Sequence, residues 1–148
     1  MTLRRMCLLP ATWAVCAMVA VGCGRLDPEA ELTAAAASLA AGNYSEAAIR
    51  LNNVVQADPD NADARRVRAE LALVLGDYSE AAQDFERART LGAPFESIAL
   101  GSADAATALG RADEALKVLD SVAATRNDDP LYWTIRAEAL LRAGRLDE

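Results

Sequence analysis

Gly42, Gly76, Gly110 and Gly144 stand 34 residues apart. Glycine ends helices readily because it enters the left-handed conformation without a Cβ clash, so an even series of glycines punctuates a repeating helical unit. Other columns keep the same step. Ala35, Ala69, Ala103 and Ala137 lie upstream of the glycines, Ala47, Ala81 and Ala115 lie downstream, and Leu51, Phe85 and Leu119 follow one helical turn later. The stretch Ala62 to Pro94 is one complete copy of helix, turn and helix. A two-helix unit cannot shelter its own apolar face, so such copies must stack. Aromatics make up only 5% of the chain and no long alternating β-branched run occurs, which favours helix over sheet. The expected class is all-α.

In the first copy Pro28 suits the opening turn of a helix that runs to about Ala41. Gly42 ends it, and Asn43 with Glu46 has the spacing of a capping box. The next helix, about Tyr44 to Ala57, places Ala47, Leu51 and Val54 on one face. Asp58-Pro59-Asp60-Asn61 then stops it. The second copy repeats this grammar, with Val67, Leu71 and Leu75 expected inside its first helix and Asp77 with Glu80 at the cap. Its second helix aligns Tyr78, Ala81, Phe85 and Ala88. In the third copy, about Glu96 to Ala124, Arg111 occupies the capping slot, so Asp113 is expected to cap instead. The fourth begins after Pro130 and reaches Leu146-Asp147-Glu148 as its second helix should start. Trp133, Leu140 and Leu141 are therefore expected to be partly uncovered, and the chain reads as the amino-terminal part of a longer array.

The columns resemble those of the tetratricopeptide repeat (TPR) family, and Tyr44, Tyr78, Pro59 and Trp133 match further consensus positions. The resemblance implies an α-solenoid of antiparallel helix pairs, divided as 28–61, 62–95, 96–129 and an incomplete 130–148. It also implies that Tyr44, Tyr78, Phe85 and Trp133 fill the seams between helices, and that first helices line a concave groove. Groove-facing candidates are Asp63, Arg66, Glu70, Asp104, Thr107, Thr134, Glu138 and Arg142, mixed in sign. The basic and asparagine residues with which some TPR domains clamp a carboxyl terminus have no counterpart in matching positions.

Residues 1–22 have the layout of a secretory signal peptide: Arg4 and Arg5, then an apolar run from Met6 to Val21, then small residues. The run is 16 residues long and contains Pro10, whereas a membrane-spanning helix takes about 20. Ala20-Val21-Gly22-Cys23 resembles a bacterial lipobox, although leucine is usual where Ala20 stands. The resemblance implies cleavage before Cys23, lipidation of its thiol and a short spacer over 23–27. By the same analogy Gly24, standing where an aspartate would favour the inner membrane, points to the outer membrane and a periplasm-facing protein. Such an anchor holds a chain at a bilayer without crossing it.

Without the leader's two arginines, 13 basic side chains remain against 22 acidic ones. That balance argues against nucleic acid, whose phosphates need clustered Lys and Arg. The chain has no histidine, and its other cysteines, Cys7 and Cys16, belong to the leader, so neither a transition metal nor a cofactor is expected. Catalysis has little to draw on: Lys117 is the only lysine and no phosphate-binding loop occurs. Glu46, Glu80 and Glu114 recur at helix starts, where a carboxylate complements the helix dipole. Asp58, Asp60 and Asn61 lack the spacing of a calcium loop. Arg65, Arg66 and Arg68 could face an anionic partner, but Asp63 and Glu70 lie within helical reach, so a solvated, salt-bridged face is expected.

A noncatalytic, membrane-anchored scaffold for another envelope protein is the leading expectation. The lipobox leader, the Asp-Pro-x-Asn-Ala-x-Ala-Arg join and the Arg-x-Leu-Gly-Ala ending resemble the TPR lipoproteins of PEP-CTERM protein sorting and exopolysaccharide export. Two alternatives stay open: a lipoprotein of outer-membrane protein or pilus assembly, and the recognition arm of an enzyme whose catalytic domain lies beyond residue 148.

Overall fold

A computed structural model describes residues 27–145, and the leader with Cys23 lies outside them. The described residues form seven α-helices: α1 (Pro28–Ala40), α2 (Tyr44–Ala57), α3 (Ala62–Leu75), α4 (Tyr78–Thr90), α5 (Phe95–Ala108), α6 (Ala112–Arg126) and α7 (Pro130–Ala143). Each helix packs on the next. None is long and apolar enough to cross a membrane.

The turn inside each pair follows from its glycine. At Gly76 φ is 78°, and this left-handed step lets the Asp77 N–H reach back to the Ala72 carbonyl at 2.9 Å. The Gly76 N–H bonds Leu73 at 3.0 Å, completing a Schellman motif. Gly42 and Gly110 repeat both bonds. This arrangement corrects the expected capping boxes. The N–H that a glutamate would capture is already spent on the preceding helix: Asn43 donates to Ser38 and Arg111 to Ala106, each at 2.8 Å. Asp77 still accepts from the Glu80 N–H at 3.1 Å, but neither Asn43 nor Arg111 makes a side-chain cap, and Asp113 does not take over. Glu46 is left free to bind Arg50 of its own helix at 2.8 Å.

Each core straddles a joint between copies. Ala35, Ala47 and Leu51 are closed by Val67 and Leu71 of α3. Ala81, Phe85 and Ala88 are closed by Ile98 and Ala105 of α5, and Ala115, Leu119 and Val122 by Tyr132, Ile135 and Ala139 of α7. The volumes compensate. Leu51 shares its core with Val67, and Leu119 shares its core with Ile135. Phe85 meets Gly101, the residue 34 positions from both Val67 and Ile135. A Cβ on Gly101 would lie 2.8 Å from Phe85 Cε2. The ring thus occupies space that a side chain fills in the other copies, and its burial contributes about 1.5–3 kcal/mol.

Several residues expected inside are not. Tyr44, Tyr78 and Leu75 are exposed, and Trp133 is 54% exposed with its indole N–H donating to the Asn127 carbonyl at 2.6 Å. The buried aromatic of α7 is the neighbouring Tyr132, 2% exposed, which packs edge-on to Trp133. One residue is about 100° around a helix, so Tyr132 faces the α5–α6 core while Trp133 turns to the side where α3 meets α4 and α5 meets α6. Ala137 and Leu141 share that open side, with Leu140 half-buried.

Candidate partner-binding face

The first helices lie side by side: α1 packs on α3, α3 on α5 and α5 on α7. The second helices stand further apart: no Cα of α2 comes within 8 Å of α4, nor of α4 within 8 Å of α6. A stack that is tight along one row and splayed along the other curves toward the tight row. The concave face is therefore built from α1, α3, α5 and α7.

On α3, Arg66 lies between Asp63, at 3.5 Å, and Glu70, at 2.6 Å. On α7, Glu138 accepts from Arg142 Nε and Nη2 at 3.1 and 2.8 Å. The Thr134 hydroxyl is turned to the Pro130 carbonyl at 2.9 Å. Asp104 on α5 differs: among the described residues no cation pairs with it, and it is half-buried. Burial pushes its carboxyl above the ordinary aspartate value, and the charge of Glu138 on the adjacent helix pushes it further the same way. Thr107 does not belong to the groove. It is 1% exposed, and its hydroxyl bonds the Ala103 carbonyl at 2.8 Å within α5.

Glu70, Asp104 and Glu138 are themselves 34 residues apart, one carboxylate at the same station of three successive first helices. Their common step was available in the sequence, although composition and sign alone presented the groove as mixed. Arg66 and Arg142 offset the outer two, which leaves the negative charge concentrated at the middle one.

The arginine cluster divides. Arg66 keeps to the concave side, while Arg65 and Arg68 turn to Asp84 of α4, a carboxylate only 3% exposed. Arg68 holds it with Nε and Nη2 at 2.5 and 2.8 Å, and Arg65 adds Nη1 at 3.1 Å. This bonding raises the Arg68 pKa despite the opposing effect of burial. The expected solvated face is corrected for these two residues: their partner sits on another helix, out of reach of i,i+4 reasoning. They floor an open cleft of about 620 Å³ with Asp77, Glu80, Gln83 and Arg87 at its sides. In the first interrepeat turn Asn61 caps α3 through the Ala64 N–H at 2.8 Å, and Asp60 binds Arg87 at 2.8 Å, so this segment serves as a joint. Among the described residues no three potential ligands gather to hold a metal ion.

Two family models, each described as Tetratricopeptide repeat, match residues 32–94 and 72–139. The chain is a tetratricopeptide-repeat protein. Together the two matches span α1 into α7, so the helix pairs and their concave face are those of a TPR array. Among curated proteins none matches the sequence. TPR arrays generally bind protein partners or peptide segments, which makes the groove the first surface to consider for function.

Proposed function

We propose that this TPR protein is a noncatalytic scaffold whose concave face holds an extended or helical segment of another envelope protein, with a basic side chain of that segment seated against Asp104. The observation that carries this reading is the half-buried Asp104 at the centre of the carboxylate column, with no cation paired to it among the described residues. A Lys or Arg brought to it would relieve both the burial of its charge and the repulsion from Glu138. The lipobox-like leader supports a protein exported and anchored through lipidated Cys23. The wording of its repeats supports a place in PEP-CTERM protein sorting or exopolysaccharide export, at the periplasmic side of the outer membrane.

Selection from a random peptide library on the immobilised repeats tests the groove. Binders should be enriched in Lys or Arg, and Asp104→Asn should weaken them about tenfold or more, as loss of a charge-assisted hydrogen bond does. Binders without basic residues, or indifferent to Asp104→Asn, would refute the assignment. For the anchor, cells fed a labelled fatty acid should incorporate it into the native chain and not into Cys23→Ser. Equal labelling of both would overturn the lipoprotein reading.

A further inference from the structure

The first two copies carry one cross-helix ion pair with its signs exchanged. In the first, Glu31 of α1 binds Arg50 of α2 at 2.9 Å. Moving 34 residues along, Glu31 becomes Arg65 and Arg50 becomes Asp84, and these again pair, at 3.1 Å. Arg68, which stands where the first copy has Ala34, adds a second cation to Asp84. In the third copy the same stations hold Ala99, Ser102 and Val118, with no charge at all. Glu46, Glu80 and Glu114 stay constant alongside. One contact geometry is therefore filled in three different ways: acid to base, base to acid, and apolar.

Apolar fit sets α4 apart through Phe85 but separates α2 from α6 poorly. The stripes Ala47/Leu51/Val54 and Ala115/Leu119/Val122 match in size, and only Phe85 in Ala81/Phe85/Ala88 departs from them; all are buried, and each stripe meets an alanine of its own first helix. An array of near-copies is exposed to pairing of the wrong helices, within one chain or between two chains. We infer that the exchanged ion pairs are a register code that lets each first helix accept only its own second helix. Pairing α1 with α4 would set Glu31 against Asp84, with Glu80 one turn away. Pairing α3 with α2 would set Arg65 and Arg68 against Arg50. Bringing α5 against α2 or α4 would leave a charge facing Ala99 and Ser102, and bringing α1 or α3 against α6 would leave one facing Val118. Each error brings like charges together or takes a charge from its partner on the other helix, most costly at the buried Asp84 and less so at the part-exposed Arg50, which keeps Glu46 of its own helix at 2.8 Å, whereas each native pair is satisfied. Specificity of this kind is separable from stability, because a pair of either polarity serves its own copy equally well.

The test gives the first copy the second copy's cluster, in the full chain: Glu31→Arg, Ala34→Arg and Arg50→Asp together. A pair remains, so the melting temperature should stay within a few degrees of the parent. On refolding from denaturant at raised protein concentration, the share of helix-exchanged dimer, read by size-exclusion chromatography with light scattering, should rise severalfold. Glu31→Gln with Arg50→Gln erases the first pair without reversing a charge and should raise the dimer share in the same direction. An unchanged monomer yield in whichever variant folds would overturn the code. Failure of both variants to fold would overturn it as well, because the pair would then be supplying stability rather than selection.

Discussion

Phe85 and Gly101 give the sharpest quantitative test of how the copies are packed. Gly101→Val places a Cβ 2.8 Å from Phe85 Cε2 and adds two methyl groups beyond it. Phe85 is 2% exposed, so its ring is enclosed by the core. Overpacking of this kind costs about 1–3 kcal/mol, and replacing a mid-helix glycine returns only about 0.5 kcal/mol in helix propensity. Phe85→Leu alone removes the ring tip and should cost about 1–2 kcal/mol through the cavity it leaves. The two changes together recreate the combination of Leu51 with Val67 found one joint earlier. The double variant should therefore return to within about 1 kcal/mol of the parent, a coupling of roughly 2–3 kcal/mol in a double-mutant cycle. Urea denaturation of the parent, both single variants and the double variant supplies all four corners. Additive losses, or a stabilising Gly101→Val, would show that ring and glycine do not share one volume and would refute the compensation described here.

Asp84→Ala should destabilise by about 3 kcal/mol, since it strands two largely buried guanidiniums, and the loss is read as a lower denaturation midpoint. Giving that site the third copy's residues, Arg65→Ala, Arg68→Ser and Asp84→Val together, should recover most of it; no recovery would mean that the ion cluster is not the source. For Asp104 the folded carboxyl holds its proton to a higher pH than the unfolded one, whose ordinary value is 3.8. The folded state is thus relatively favoured below that value and loses stability as pH rises through the folded pKa. Asp104→Asn should raise the melting temperature at pH 7 and leave it unchanged at pH 3, followed by circular dichroism. An equal gain at both values would place the effect in packing rather than charge.

What the sequence disclosed, and what it hid, divide along one physical line. The alanine and glycine columns were legible because small size and left-handed backbone are demands made at one position and met by few residue types. Side-chain direction was harder. Trp133 matched a consensus station, yet its neighbour Tyr132 is the one that turns inward, and a shift of one residue reverses which ring is buried. The reciprocal half of each capping box does not form because the donor a glutamate would take is used by the Schellman turn. Arg65 and Arg68 read as a solvated face in the sequence because their partner lies 19 and 16 residues away, on a helix whose facing side only the fold determines. On the groove, the residues of Asp63, Arg66 and Glu70 were readable from i,i+3 and i,i+4 spacing, whereas the isolation of Asp104 depends on what the neighbouring helices fail to bring to it.

Among the described residues α1 meets only α2 and α3, and α7 only α5 and α6, so the two outermost helices are not fastened to each other. Such a body is elastic in the manner of a coil spring. Small rotations at successive joints accumulate along its length, so the trough can widen or narrow around what it holds while every helix keeps its own hydrogen bonds.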